Sequence, residues 1–304
     1  MSFSPVDAVG LAEPSDSSNA ASRTAESSER DRVLVPLFDR SRAALADQLR
    51  IAGTLARTTG AALRVVAPAR IPPQAPLGLS HRFVGADDRE RLDWGVAEAE
   101  AYATDVEREL LVGRRPVSRV RDHIRDGDVD AVVLPGESTG GRLRRSETER
   151  LAADVDCDVV TVNGRRGYDE VPSILLPVAG GPHSGLAADV ARQIAAANDA
   201  WVDVLHVVEE DAGEARRREA EECAEAAYRR IGRPETTTTW VLEADDPTEA
   251  IVEQSRYYEL TVVGAPTTGR LRRLVYGSTS RTIGADAESV VLSARSADST
   301  AFLD

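Results

Sequence analysis

The sequence predicts an α/β protein made of two tandem open sheets, each of five parallel strands in the Rossmann-like manner. Three observations predict this. Short apolar runs alternate with amphipathic helical stretches along most of the chain, which is the pattern of parallel β-α-β winding. A stretch also recurs: Ala131-Val-Val-Leu-Pro-Gly136-Glu137-Ser-Thr-Gly140-Gly141-Arg-Leu-Arg-Arg returns as Thr261-Val-Val-Gly264-Ala-Pro-Thr267-Thr-Gly269-Arg-Leu-Arg-Arg. Gly136 aligns with Gly264 and Gly141 with Gly269. Finally, 304 residues leave room for about two domains.

Residues 1–30 are rich in Ser, Ala, Asp and Glu without periodicity, so they bury too little apolar surface to offset their ordering entropy and read as a disordered arm. The first domain is read over 31–163. Val33 to Leu37 is an apolar run of the central-strand type. Residues 41–57 place Leu45, Leu49, Ala52 and Ala56 on one helix face, and Ala62 to Ala67 is a second strand. A Pro-bearing loop over 68–90 leads to a charged, periodic stretch over 91–112, with Leu92, Val96, Ala99, Val106 and Leu110, read as one helix. Val117 to Ile124 is too short for a strand and a helix together. It reads as a short helix, so the first half is expected to lack a full third strand. Ala131 to Leu134, a helix over 146–155 and Asp158 to Val162 complete this domain.

Residues 164–172 hold Gly164, Gly167 and Pro172 among charges and read as a linker. The second domain spans 173–295, with a polar tail over 296–304. Its strands are expected at 173–178, 201–208, 236–242, 259–263 and 289–293. Ser184 is placed to cap the helix after the Ala179–Ser184 turn. A charged helix is read over 211–231. Asp246-Pro247 opens another, with proline at the favoured first position, and a last one is expected over 278–287.

Composition narrows the function. The net charge is −14, which argues against nucleic acid or an anionic membrane surface as partner. All 37 basic residues are arginine. A dense carboxylate surface without lysine suits a protein kept soluble where salt screens self-repulsion, so a salt-loving source is expected. Cys157 and Cys223 form no CxxC pair, and His81, His123, His183 and His206 are scattered. A metal site is therefore not expected, and a reducing cytoplasm is. No apolar run approaches the roughly 20 residues that span a bilayer, and no secretory signal pattern is present.

In open α/β sheets ligands sit beyond the C-terminal strand ends, where connections diverge to opposite faces. In the second half that crevice falls between Pro177-Val178-Ala179 and Val263-Gly264-Ala265, with Val207 ending the neighbouring strand. The loop from Gly264 through Pro266, Thr267 and Gly269 to Gly277-Ser278-Thr279 opens a helix. Main-chain amides and hydroxyls there would face an anion, and the helix terminus would add positive potential. Alternatively, the glycines only permit tight strand-to-helix turns. In the first half Glu137 would place a carboxylate beside any phosphate and Ser146-Glu147 replaces Gly277-Ser278, so no nucleotide is expected there. Arg270, Arg272 and Arg273 read as mainly structural, because Arg-Leu-Arg-Arg occurs in both halves.

These residues resemble the universal stress protein family. The resemblance rests on Ile174-Leu-Leu-Pro-Val178, Val204-Leu-His-Val-Val208 and Val262-Val-Gly264 with Gly277-Ser278-Thr279. It covers nearly all of 172–295 and, more weakly, 32–163. It implies a five-stranded parallel sheet per domain and, in members that bind ATP, a Gly-x2-Gly-x9-Gly-[Ser/Thr] loop. Gly264, Thr267 and Gly277-Ser278 keep that spacing, but Thr267 stands for the middle glycine and Ala179 for an Asp after the first strand. The loop versions are similar to those of salt-loving archaea, where such domains also accompany amino-acid transporters. The resemblance implies a non-enzymatic stress-response protein, its two domains an intrachain pseudo-dimer, with ATP or AMP held by the second through Pro177, Val178, Ala179, Val207, Val263, Gly264, Pro266, Thr267, Gly269, Gly277, Ser278 and Thr279. A homodimer is also open. The alternatives are a ligand-free module that docks on a transporter or another protein, and a weak ATP hydrolase. No general base is recognisable for the last.

Overall fold

The computed structural model describes residues 31–38, 41–74, 82–136, 147–164, 170–180, 182–265 and 289–297. The N-terminal arm, the C-terminal tail after 297 and the helix expected over 278–287 lie outside them. The strands are β1 (Arg32–Pro36), β2 (Ala62–Arg70), β3 (Val106–Gly113), β4 (Ala131–Pro135), β5 (Asp158–Asn163), β6 (Ser173–Pro177), β7 (Trp201–Val208), β8 (Thr237–Glu243), β9 (Leu260–Gly264) and β10 (Val290–Arg295). The helices are α1 (Arg42–Thr59), α2 (Ala86–Ala99), α3 (Pro116–Asp126), α4 (Glu147–Asp154), α5 (Pro182–Asn198), α6 (Glu214–Ile231) and α7 (Pro247–Gln254).

All ten strands join one sheet in the order β3-β2-β1-β4-β5-β10-β9-β6-β7-β8. Read outward from the middle, each half has the order 5-4-1-2-3 and is parallel throughout. The halves meet edge to edge where β5 and β10 pair antiparallel, from Val291 opposite Asn163 to Arg295 opposite Val159. The strands of the two halves therefore run in opposite directions, and their C-terminal ends open at opposite margins of the sheet.

One face of the sheet carries a continuous core beneath α1, α2, α5 and α6, including Val33, Val35, Leu49, Ile174, Leu176, Val190, Val262 and Leu292. Because α1 packs on α5 across the junction, this core has no break between the halves. On the other face α3 and α4 cover Leu34, Val66, Val132 and Leu134 in the first half, and α7 brings Ile251 onto Leu175 and Leu205 in the second. The near-continuous apolar strands follow from burial on both faces.

Local signals set the element ends. Ser41 Oγ accepts from the Ala44 amide at 3.3 Å to cap α1, and Gly60 closes that helix in the left-handed region at φ 75°. Asp246 Oδ1 accepts from the amides of Thr248 and Glu249 at 3.0 and 3.2 Å, with Pro247 starting α7.

Three expectations are corrected. The stretch 91–112 is not one helix: α2 ends at Ala99, and Val106–Gly113 is a full third strand paired with β2 over its whole length. Its composition hid it. As the edge strand, β3 carries Glu107, Arg108 and Glu109, which suit a helix as well. Glu107 bonds Arg64 of β2 and Arg108 bonds Asp93 of α2, both across sequence distances that local periodicity does not see. Secondly, Ser184 does not cap α5, because the helix already begins at Pro182. Its hydroxyl lies in the first turn, donating to the Gly180 carbonyl at 3.0 Å and accepting from the Ala179 amide at 3.4 Å. Thirdly, Gly136 is not the counterpart of Gly264. β1 pairs Val33 with Ala131, and β6 pairs Ile174 with Leu260. That register sets Pro135 opposite Gly264 in the repeat and Gly136 opposite Ala265. Matching hydrogen bonds agree, from Gly136 N to Val162 O at 2.6 Å and from Ala265 N to Ala294 O at 2.7 Å.

Candidate functional site

The crevice expected in the second half lies at the C-terminal ends of β6 and β9, which run side by side. From β6 the chain crosses to α5 on one face of the sheet. Alternation along the strands sorts the predicted residues. Val178 turns into the core under α5, with 5% of its surface exposed, and its amide bonds the Leu205 carbonyl at 2.9 Å. Pro177, Val207 and Val263 belong to the opposite face, where Pro177 and Val263 are buried and Val207 is half-buried against Leu175 and Leu205. Ala179 lies exposed beyond the strand end. Alternation thus puts Pro177, Val207 and Val263 on the face opposite Val178, with Ala179 past the end of the strand. Pro266, Thr267, Gly269, Gly277, Ser278 and Thr279 lie outside the described residues.

Gly264 is bare for a reason inside the fold. A Cβ there would stand 2.9 Å from the carbonyl carbon of His183 and 3.1 Å from the Ser184 amide nitrogen, so the glycine lets the first turn of α5 approach β9. His183 is fixed further by its Nδ1, which accepts from the Ser296 amide at 3.3 Å. Gly180 has φ 83°, a conformation glycine reaches without strain, and turns the chain between Ala179 and α5 close to the Cys223 sulfur.

The amides of Val178 and Ala265 are already bonded to carbonyls, and that of Ala179 to the Ser184 hydroxyl. Among the described residues these three amides are therefore taken up inside the protein.

The first half differs at the matching place. The register of β1 and β6 against their neighbours sets Leu37 opposite Val178, and the bond from Leu37 N to Val66 O at 2.8 Å repeats that from Val178 N to Leu205 O. Phe38 consequently stands where the second half has Ala179. Its ring is 9% exposed and packs with Leu34, Val66 and Leu134. At this strand end the first half therefore carries a buried aromatic side chain where the second half has an exposed alanine. The sequence held this signal in Phe38, but it became readable only once the strand registers aligned the halves.

Two titratable groups near the second-half crevice are perturbed. His206, on β7 beneath α6, has its pKa lowered by burial, against an opposing pull from Glu219, and no bond to its buried Nδ1 is found among the described residues. Burial raises the Cys223 thiol, helped by Glu219 and opposed by the Gly180 backbone. At the junction, burial pushes Cys157 up to about 12, with Arg295 pulling the other way. Both thiols are held neutral, which argues against a nucleophilic role. Among the described residues no group of three His, Cys, Asp or Glu is placed to hold a metal. No helix among them is long and apolar enough to cross a membrane.

Comparison with known proteins adds to this geometry. Residues 171–295 match the model of the universal stress protein family. A search of curated proteins finds no match. Among solved structures, a universal stress protein from Archaeoglobus fulgidus is similar with a TM-score of 0.58 at 15% identity, over 89% of this chain and 98% of that one. A functionally unknown protein from Pseudomonas aeruginosa PAO1 is similar with a TM-score of 0.53 at 17% identity, over 90% and 95%. A putative universal stress protein from Pseudomonas aeruginosa UCBPP-PA14 gives the same TM-score and identity, over 89% and 95%. At such identity the likeness is one of fold.

Proposed function

We propose that the chain is a tandem universal stress protein, a cytoplasmic and non-enzymatic stress-response protein of a salt-loving organism. Its second half binds an adenine nucleotide, ATP or AMP, and its first half serves as a structural partner in an intrachain pseudo-dimer. The family match over 171–295 supports the assignment of the second half. The observation that carries the nucleotide reading is the exchange of Phe38 for Ala179 at equivalent strand ends. At that place the first half has a buried ring, while the second has an exposed alanine near the half-buried Val207. When bound, the nucleotide would set its base beside Ala179, and the loop from Pro266 to Thr279 would take its phosphates. The chain's own contribution is positioning, since Gly264 lets the first turn of α5 pack on β9.

A second reading has its own support. The engaged amides of Val178 and Ala265 favour a ligand-free module that docks on a transporter or another protein.

The test is a thermal shift of the purified chain with AMP or ATP at high salt, with mass spectrometry of small molecules released on denaturation. Wild type is expected to be stabilised and to release an adenine nucleotide. Ala179→Phe, which copies the first half at an exposed position, is expected to fold and lose both responses. If wild type shows neither release nor shift, the ligand-free reading replaces this one.

A further inference from the structure

The sheet ends at two edges, and they are not alike. Among the described residues β3 pairs only with β2, and β8 only with β7. An edge strand presents unpaired N–H and C=O groups, and proteins commonly blunt it with charge. β3 follows that rule through Glu107, Arg108 and Glu109. β8 does not. From Thr237 to Leu242 it reads Thr-Thr-Thr-Trp-Val-Leu, without charge, glycine or proline.

The bond from Ala244 N to Val208 O at 2.9 Å fixes which residues of this edge face β7. Alternation then turns the N–H and C=O of Thr239 and Val241 outward, and no bond to those groups is found among the described residues. Beside them lies an open groove of about 620 Å³ between β8 and α6. Its far wall carries Glu221, Glu222 and Glu225, all exposed. Arg229 stands 3.9 Å from Glu225. No cation pairs with Glu221 or Glu222 among the described residues.

We propose that β8 is a docking edge for an extended, basic segment of a partner protein, which adds to the sheet as a further strand. The outward amides and carbonyls supply the ladder, as in other strand-addition complexes. Arginine or lysine at alternate positions of the incoming strand would meet the glutamates of α6. A second copy of this chain is the poorer occupant, because a two-fold pairing of β8 with β8 would bring two carboxylate rims together. This inference does not depend on nucleotide binding.

The full chain is tested with a capped peptide of four Arg-Val repeats, read by hydrogen exchange at the Thr239 and Val241 amides. The matched peptides carry Glu in place of Arg, or N-methyl groups on every residue. Protection of both amides by the Arg-Val peptide alone is expected, weakening as salt rises. The double variant Glu221→Arg, Glu222→Arg changes only exposed positions and is expected to weaken binding by about tenfold or more. The proposal falls if no peptide protects these amides or if the charge reversal leaves affinity unchanged. It also falls if they are protected without peptide in a concentration-dependent way, since a second copy would then hold the edge.

Discussion

Gly264 at the end of β9 lies against His183 in the first turn of α5, so closely that a Cβ would stand 2.9 Å from the His183 carbonyl carbon and 3.0 Å from its oxygen. The neighbours are backbone, so neither can swing aside. This contact joins the fourth strand of the half-sheet to the helix that follows its first.

Gly264→Ala is therefore expected to destabilise the protein without any ligand. Overpacking of this kind costs about 1–3 kcal/mol. Urea denaturation of nucleotide-free protein measures it. An unchanged midpoint would mean that the glycine serves a ligand and not the packing of α5.

Asp189, 1% exposed on α5, is held by the Arg230 fork of α6 at 2.7 and 2.5 Å. Arg192 lies 3.6 Å from the same carboxylate. Stripping a buried ion of its partner costs about 3–5 kcal/mol, and an exposed pair contributes about 0–1. The Arg230 side chain is 38% exposed and Arg192 remains nearby, so Arg230→Ala is expected to cost about 2 kcal/mol, between those limits. Arg230→Lys should recover only part of it, because the two-pronged geometry is lost. Equal stability of wild type and Arg230→Ala in denaturant would remove this clasp from the account of how α5 and α6 are held.

Acid should weaken the second half through His206. Burial holds its imidazole neutral in the folded chain, with a pKa below the ordinary one, while the unfolded chain takes up a proton near pH 6.5. Below that pH the unfolded state binds more protons, so this stability is fully present above about pH 6.5 and is lost as pH falls from there towards the folded pKa. His206→Gln should flatten this part of the stability–pH curve. A curve with the same slope in both proteins would exclude His206 as its source.

Much of this molecule was legible in its residues. Apolar runs marked eight of the ten described strands, because strands buried on both faces have no polar side to confuse the pattern, and β8 was legible from its β-branched and aromatic residues. Asp246-Pro247 announced α7 because capping chemistry is local. β3 was lost because an edge strand can be charged, and its ion pairs with Arg64 and Asp93 come from distant elements. Ser184 misled for a related reason: Pro182 starts a helix as well as a serine caps one.

Composition, winding and the repeat by themselves determined an α/β chain of two like halves and the margin of each half-sheet where a ligand would sit. Which side chains stand at each margin was decided only by tertiary structure. Strand register, set by hydrogen bonds between segments far apart in sequence, put Phe38 in the place of Ala179 and Pro135 in that of Gly264. The same long-range pairing of β5 with β10 joined the halves into one sheet with opposed strand directions. No local pattern encodes such a choice, because it depends on which edges meet once both half-sheets exist.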